Sequence, residues 1–317
     1  MIRVIGANPA MDRVSTWPPV RMGQVNRASS VSVVPGGKGF NVARAIVRLG
    51  MPATAYGFLG GHVGQALREM IVADGVIDRH TMVAAGTRVC FILVESDPER
   101  STVLNEPGPS VTAEEVDRFL AGIRADRVPG DLLILSGSLP DSVAPSVAGR
   151  IVQIGRDVGI RVLVDIHGEA LQEAVARRPW MLKCNRHELL GLLGEADTEV
   201  GMPLPELASR MQTVRDRGIE VVVVTLGSAG ALVADHGGIV HARVPAIHEV
   251  NPTGSGDLLL AGLAVAIERG EEPRHAIALG AACGTAGATQ LKPELPPGFD
   301  PLEWTPRIAV TEVVSRS

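Results

Sequence analysis

With 317 residues, 45% of them hydrophobic, the chain is long enough for one large α/β domain or two smaller ones. A formal net charge of -5 leaves no basic footprint for nucleic acid or an anionic membrane, and 3% aromatics are too few for a base-stacking surface. Cys90, Cys184 and Cys283 are far apart with no CxxC, which reads as buried free thiols in a reducing, cytoplasmic compartment.

The chain opens on MIRVIGANPAMD, which has no apolar leader, and no uncharged apolar run anywhere reaches the ~18 residues of a membrane span. Arg13 to Val34 is short, polar and strand-like. Pro35 to Gly50, PGGKGFNVARAIVRLG, is a glycine-rich run, and Thr87 to Gly108 reads as a hairpin turning at SDPERS. Neither 12–34 nor 87–108 has helical periodicity, and together they are expected to form a small β-structured lid, with an ordinary surface hairpin equally compatible with the pattern.

From Asp131 the pattern alternates. DLLILSGS, RVLVDIHG, WMLKCN and VVVVTLGS read as strands. The amphipathic segments SVAGRIVQIGRDVG, EALQEAVARR and PELASRMQTVRDRG separate them as helices. Near-continuous apolar strands between helices imply a mainly parallel sheet flanked by helices on both faces. Ligands gather at the carboxyl edge of such a sheet. The polar clusters Ser136–Ser138, Asp165–His167, Asn185–Glu188 and Thr225–Gly227 all follow strands and so share that edge. The tail after Lys292 is expected to be irregular.

Before that tail comes VNPTGSGDLLLAGL, Val250 to Leu263. A glycine-rich turn runs into a helix, whose first amides lack partners and carry partial positive charge. Asp257 sits at the junction. A carboxylate beside an anion cradle suits phosphoryl transfer, since the acid can take the proton of the attacking hydroxyl. The bland alternative is that Asp257 merely caps a helix.

The runs GGKGFNVARAIVRLG and NPTGSGD resemble the two motifs of the PfkB carbohydrate kinases, which have the ribokinase-like fold. GANPAMD, TRVC, LNEPGP, LSGSLP, KCNRHEL and VTLGSAGAL follow in family order over nearly the whole chain. GANPAMD, GGKGFN, TRVC and LNEPGP together most resemble the branch acting on ketohexose monophosphates. The resemblance implies fructose 1-phosphate as substrate, with tagatose 6-phosphate as the alternative, then fructose 6-phosphate or an unphosphorylated sugar. The resemblance implies a single ribokinase-like domain over 1–317. It implies Asp257 as the catalytic base, with the amides of Gly254, Ser255 and Gly256 around the transferred phosphoryl group. Asp12, Gly36, Gly37 and Asn41 would bind the sugar. Lys38, Arg27, Arg88, Ser136 and Ser138 would meet its phosphate. ATP would lie against Lys183, Asn185, Thr225, Gly227 and Gly230, and Asn185 and Glu188 would organise Mg²⁺ largely through water.

Three departures from the family pattern stand out: Leu258 after the base, Cys184 within KCN, and His167 in DIHGEAL. Leu258 is expected to pack under its helix. A nicotinamide dehydrogenase is disfavoured because no GxGxxG follows the first strand. A zinc enzyme is disfavoured because no HExxH or similar cluster exists, and a sensor on the same fold is disfavoured by the intact Asp257, Lys38 and Asn185. Expected partners are therefore a sugar phosphate and ATP, with neither nucleic acid nor membrane. Two lids pairing edge to edge would make a homodimer.

Overall fold

The computed structural model describes residues 1–96, 99–126, 128, 130–197 and 202–313. Among these, strands 2–5, 53–56, 77–78, 132–136, 161–165, 181–185, 221–225, 231–235, 238–243 and 309–312 form one sheet of ten. The seven strands from 77–78 across to 221–225 pair in parallel, and the last three add antiparallel at one edge. The fold is mixed α/β, as the alternating pattern implies. Buried clusters lie on both faces, one around Ile2, Val4, Leu132 and Leu260, the other around Ile5, Leu133, Val164 and Val222. Ile2 and Val4 against Ile5, and Leu132 against Leu133, show the period-two alternation that sends neighbours to opposite faces. Both faces are covered, which is why these strands read as continuous apolar runs.

A second sheet of four stands apart, in the order Ser30–Gly36, Ala10–Trp17, Arg88–Ser96, Glu99–Asn105. The hairpin expected at Thr87 to Gly108 is there, antiparallel from Cys90↔Asn105 to Ser96↔Glu99. Its turn at 97–98 lies outside the described residues. The expected strand-like stretch from Arg13 to Val34 divides into two strands and a loop, and strand structure starts earlier, at Ala10.

The tail differs from expectation. It forms a short helix, Pro301–Trp304, and an edge strand, Ala309–Glu312, paired with Gly238–Arg243. All four residues of that strand are exposed, so it has no alternating pattern to read. Its pairing is decided by the sheet edge it meets.

The helices Ser255–Glu268 and Pro273–Gly287 pack closely because small residues face each other. A Cβ on Gly262 would stand 2.7 Å from Cys283 Sγ, and one on Gly284 would stand 2.9 Å from Ser255 O. Leu258 is 1% exposed, so it packs under its helix as expected. This packing sets the start of the Ser255–Glu268 helix against the sheet edge.

Candidate active site

Asp257 lies in the first turn of the Ser255–Glu268 helix, whose N-cap is Gly254 with φ 83°. That left-handed conformation favours glycine. Asn251, 1% exposed, pins the preceding loop: its Oδ1 accepts from Thr253 N–H and its Nδ2 donates to Leu291 O. Asp257 is therefore not the helix cap. Its Oδ2 instead accepts from Asn41 Nδ2 at 2.9 Å, across 216 residues of chain. Ser255 N–H donates to Pro252 O within the turn, so this amide, expected to hold the phosphoryl group, is already paired. The Ser255 hydroxyl is buried without a partner among the described residues.

Around Asp257 is a cavity of about 380 Å³. It collects Asp12, Gly37, Lys38, Asn41, Arg88, Lys183, Asn185, Glu188, Thr225, Gly254 and Gly256. Asp12, Cys90, Ile92, Val103 and Asn105, all from the four-stranded sheet, line it too, so that sheet covers the pocket. Gly36 acts from behind: a side chain there would collide with the Asp12 carboxylate. Lys38 begins the Lys38–Arg48 helix, capped by Gly37 at φ 91°.

A smaller cavity of about 170 Å³ shares Gly37, Lys38 and Arg88 with this one and adds Asn8, Ser136, Ser138 and His167. Arg88 donates to Asn8 O and Glu106 O, while its buried Nε has no partner among the described residues. Asn8 Nδ2 donates to Ser138 Oγ at 3.1 Å. On the other side a cleft of about 710 Å³ is lined by Gly227, Gly230, Val244, Pro245, Ile247, Leu259, Ala281 and Thr285. It shares Thr225 and Gly256 with the Asp257 cavity, and Ser255 belongs to it. Of the expected residues, Gly36 lines none of these spaces and meets the Asp12 carboxylate instead. Arg27 is not gathered at all: it is exposed in the loop between the first two strands of the four-stranded sheet.

Charge is unevenly balanced here. Burial, with the nearby Asp165 charge adding, pushes the Asp257 carboxyl up to about 6 against Lys38, Lys183 and the Asn41 hydrogen bond. Burial likewise pushes Asp12 up to about 6, with Arg88 opposing and Asp257 adding. Asp165 goes the other way. Burial alone would raise it, but Lys183 and Lys38 outweigh burial and hold it below the usual carboxylate range.

Asn185 and Glu188 form a reciprocal capping box for the Arg186–Leu193 helix. Glu188 Oε2 accepts from Asn185 N–H, and Asn185 Oδ1 accepts from Glu188 N–H, each at 2.8 Å. Both still line the Asp257 cavity. Among the described residues no three His, Cys, Asp or Glu gather as a metal-binding group. Asp165, Asn8 and Asn251 went unread in the sequence as site residues. The position of Asp165 after a strand was the one signal available for it.

This geometry meets its relatives at the family level. The pfkB family carbohydrate kinase model matches residues 4–296. The chain belongs to the pfkB carbohydrate kinases. The kinase is 31% identical to 1-phosphofructokinase of Bacillus subtilis over 288 residues, 91% of this chain and 92% of that one. It is 30% identical to tagatose-6-phosphate kinase of Staphylococcus epidermidis over 266 residues, 83% and 84% of the two chains. The solved phosphofructokinase-2 from Escherichia coli in complex with fructose-6-phosphate superposes with a TM-score of 0.84 at 26% identity, covering 90% of this chain and 93% of that one. Ribokinase from Thermotoga maritima, at 20% identity and TM-score 0.72 over 92% and 94% of the chains, confirms the ribokinase-like fold. As a kinase, the protein takes its phosphoryl group from ATP. No helix among the described residues is long and apolar enough to cross a membrane.

Proposed function

We propose that this kinase phosphorylates the free primary hydroxyl of a ketohexose monophosphate, with fructose 1-phosphate, giving fructose 1,6-bisphosphate, as its preferred substrate. The observation that carries this reading is the cavity of about 170 Å³ beside the Asp257 pocket, lined by Lys38, Arg88 and Ser138. Two cations and a hydroxyl in so small a space suit a phosphate better than a sugar ring. The unpaired Nε of Arg88 is a donor waiting for an acceptor. Relatives named for both fructose 1-phosphate and tagatose 6-phosphate chemistry support the class.

In this reading the sugar phosphate lies under the four-stranded sheet, which acts as a lid. Asp12 and Asn41 orient its hydroxyls. Asp257 takes the proton of the attacking hydroxyl, with Asn41 holding the carboxylate in place. With the Ser255 and Asp257 amides paired within the turn, the amides of Gly254 and Gly256 are the ones left to face developing phosphoryl charge. ATP occupies the larger cleft, its triphosphate reaching Thr225 and Gly256 where cleft and pocket meet. Asn185 and Glu188 are oxygen donors, too few to strip a cation, which fits a Mg²⁺ that keeps most of its water. When bound, Mg²⁺ offsets charge on the β- and γ-phosphates. The outer face of the lid carries exposed Val31, Val33, Phe91 and Leu104, an apolar surface suited to pairing two copies.

An ATP-consumption assay over fructose 1-phosphate, tagatose 6-phosphate, fructose 6-phosphate and fructose tests the reading. Fructose 1-phosphate should have the highest kcat/KM, with fructose lower by about a hundredfold, the worth of lost charge-assisted contacts. A preference for tagatose 6-phosphate would move the assignment within the class. Equal rates on fructose would overturn it.

A further inference from the structure

Asp165 has no role in the account above, yet it links the two halves of the site. It ends the Arg161–Asp165 strand and is 1% exposed. Its Oδ1 forms an ion pair with Lys183 Nζ at 3.1 Å and accepts from Lys38 Nζ at 3.3 Å. Ser136 Oγ donates to its Oδ2 at 3.4 Å. A buried carboxylate is costly unless opposite charges meet it, and here two do so on one oxygen.

The two lysines arrive from different parts of the chain. Lys38 starts the helix after the glycine-rich turn. Lys183 sits on the Met181–Asn185 strand, which runs parallel beside the strand of Asp165. Their surroundings differ as well. Lys38 is the partly exposed one, with 36% of its side chain accessible, and it lines both the Asp257 cavity and the small cationic one. Lys183 is 6% accessible, and its ammonium would stand 3.1 Å from a Cβ on Gly256, next to the base. Under the proposed function Lys38 serves the sugar phosphate, and Lys183, beside Gly256 where the ATP cleft meets the pocket, faces the nucleotide phosphates. A single oxygen then sets the distance between the cation for the acceptor and the cation for the donor.

We propose that Asp165 is a positioning residue for phosphoryl transfer, holding Lys38 and Lys183 at a fixed spacing beside Asp257 so that acceptor and donor phosphates come into line. The proposal rests on the kinase reading above. A lysine ammonium on a flexible four-carbon stem has little orientation of its own. Freed from Asp165, each lysine would still attract a phosphate, because its charge is intact. Placement would suffer and attraction would not. A misplacement of about 1 Å in a bound reactant costs on the order of a hundredfold in rate. A role confined to stabilising the sheet would instead lower the amount of folded enzyme and leave turnover per folded molecule unchanged.

The test is steady-state kinetics on Asp165→Asn and Asp165→Glu, with ATP and sugar varied in turn and rates expressed per folded molecule by thermal melting. The sugar used is whichever the wild type accepts best, so a wrong substrate assignment shows in the wild type and leaves this comparison intact. Asp165→Asn should lower kcat about a hundredfold, while neither KM rises by more than about threefold. Asp165→Glu keeps the charge but moves the oxygen by one methylene, so it should recover part of that loss. Unchanged kcat in the Asn variant would overturn the proposal. So would a rise in KM that accounts for the whole defect, since Asp165 would then serve binding. Failure of both variants to fold would assign Asp165 to the core and overturn it as well.

Discussion

The cavity under the four-stranded sheet and the cleft beside the Ser255–Glu268 helix share Thr225 and Gly256 and no other residue. The first is lined by Asp12, Lys38, Arg88, Lys183, Glu188 and Asp257, so charge does most of its recognition. The second is lined by Val244, Pro245, Ile247, Leu259, Ala281 and Ala288, with Glu249 its one charged residue among those described. A charged pocket discriminates sharply, because a missing partner leaves a buried ion uncompensated. An apolar cleft holds its ligand by area and shape, and single contacts there matter less. Changes on the sugar side should therefore move individual kinetic constants, and the most sensitive point should be where the two spaces meet.

Asp257→Asn should have the largest effect, lowering kcat by about 10²–10⁴-fold, the usual worth of a general base. Calorimetry should find both substrates bound nearly as in the wild type. In the wild type, Asp257 must be ionised to accept a proton, and its carboxyl is raised to about 6. kcat/KM should then fall about tenfold per pH unit below about 6 and level off above it. Asp12 titrates in the same range and senses Asp257, so this limb belongs to the pair. Both folded-state values lie above the 3.8 of an ordinary aspartate. The stability these acids contribute is thus full below about 3.8 and is lost as pH rises through about 6. Above about pH 7 the Asn variant should melt no lower than the wild type. A variant with near wild-type turnover would remove Asp257 from the chemistry.

Arg88→Ala comes next. Loss of a charge-assisted contact typically costs about 1.5–3 kcal/mol, or roughly ten- to a hundredfold. The KM for the sugar phosphate should rise by that factor while the KM for ATP stays put, because Arg88 lines the two cavities that the proposed function gives to the sugar phosphate and not the cleft it gives to ATP. An equal rise in both would erase the distinction between the two spaces.

Glu188→Gln should be the mildest and separates two roles. Glutamine still completes a capping box with Asn185, so the melting temperature should hold. If the carboxylate also organises the waters of Mg²⁺, the Mg²⁺ concentration for half-maximal rate should rise about tenfold. A titration identical to the wild type would leave Glu188 as a helix cap and nothing more.

Local chemistry made much of this legible in the sequence. Apolar runs between amphipathic segments announce a covered parallel sheet, because strands buried on both faces have no polar alternation. Small residues before Asp257 announce a helix start open to an anion. The glycine-rich run from Pro35 announces close backbone approach, and Gly36 makes room for the Asp12 carboxylate. Other features depended on chain segments meeting. Asp165 is an ordinary strand-end acid until Lys38, 127 residues away, and Lys183 close on its one oxygen. Asp257 could have been a cap, and only Gly254 in that position and Asn41 on its carboxylate decide otherwise. Arg27 carries the right charge but stands exposed in a loop. The strand at Ala309–Glu312 exists because an edge was free to pair with it. Periodicity and turn chemistry act between neighbours in sequence, so the sequence alone determines the alternating strands and helices of the core and the edge where ligands gather. Electrostatic balance falls off over a few ångströms of space, so only the tertiary structure decides which charges share an atom and which stand alone.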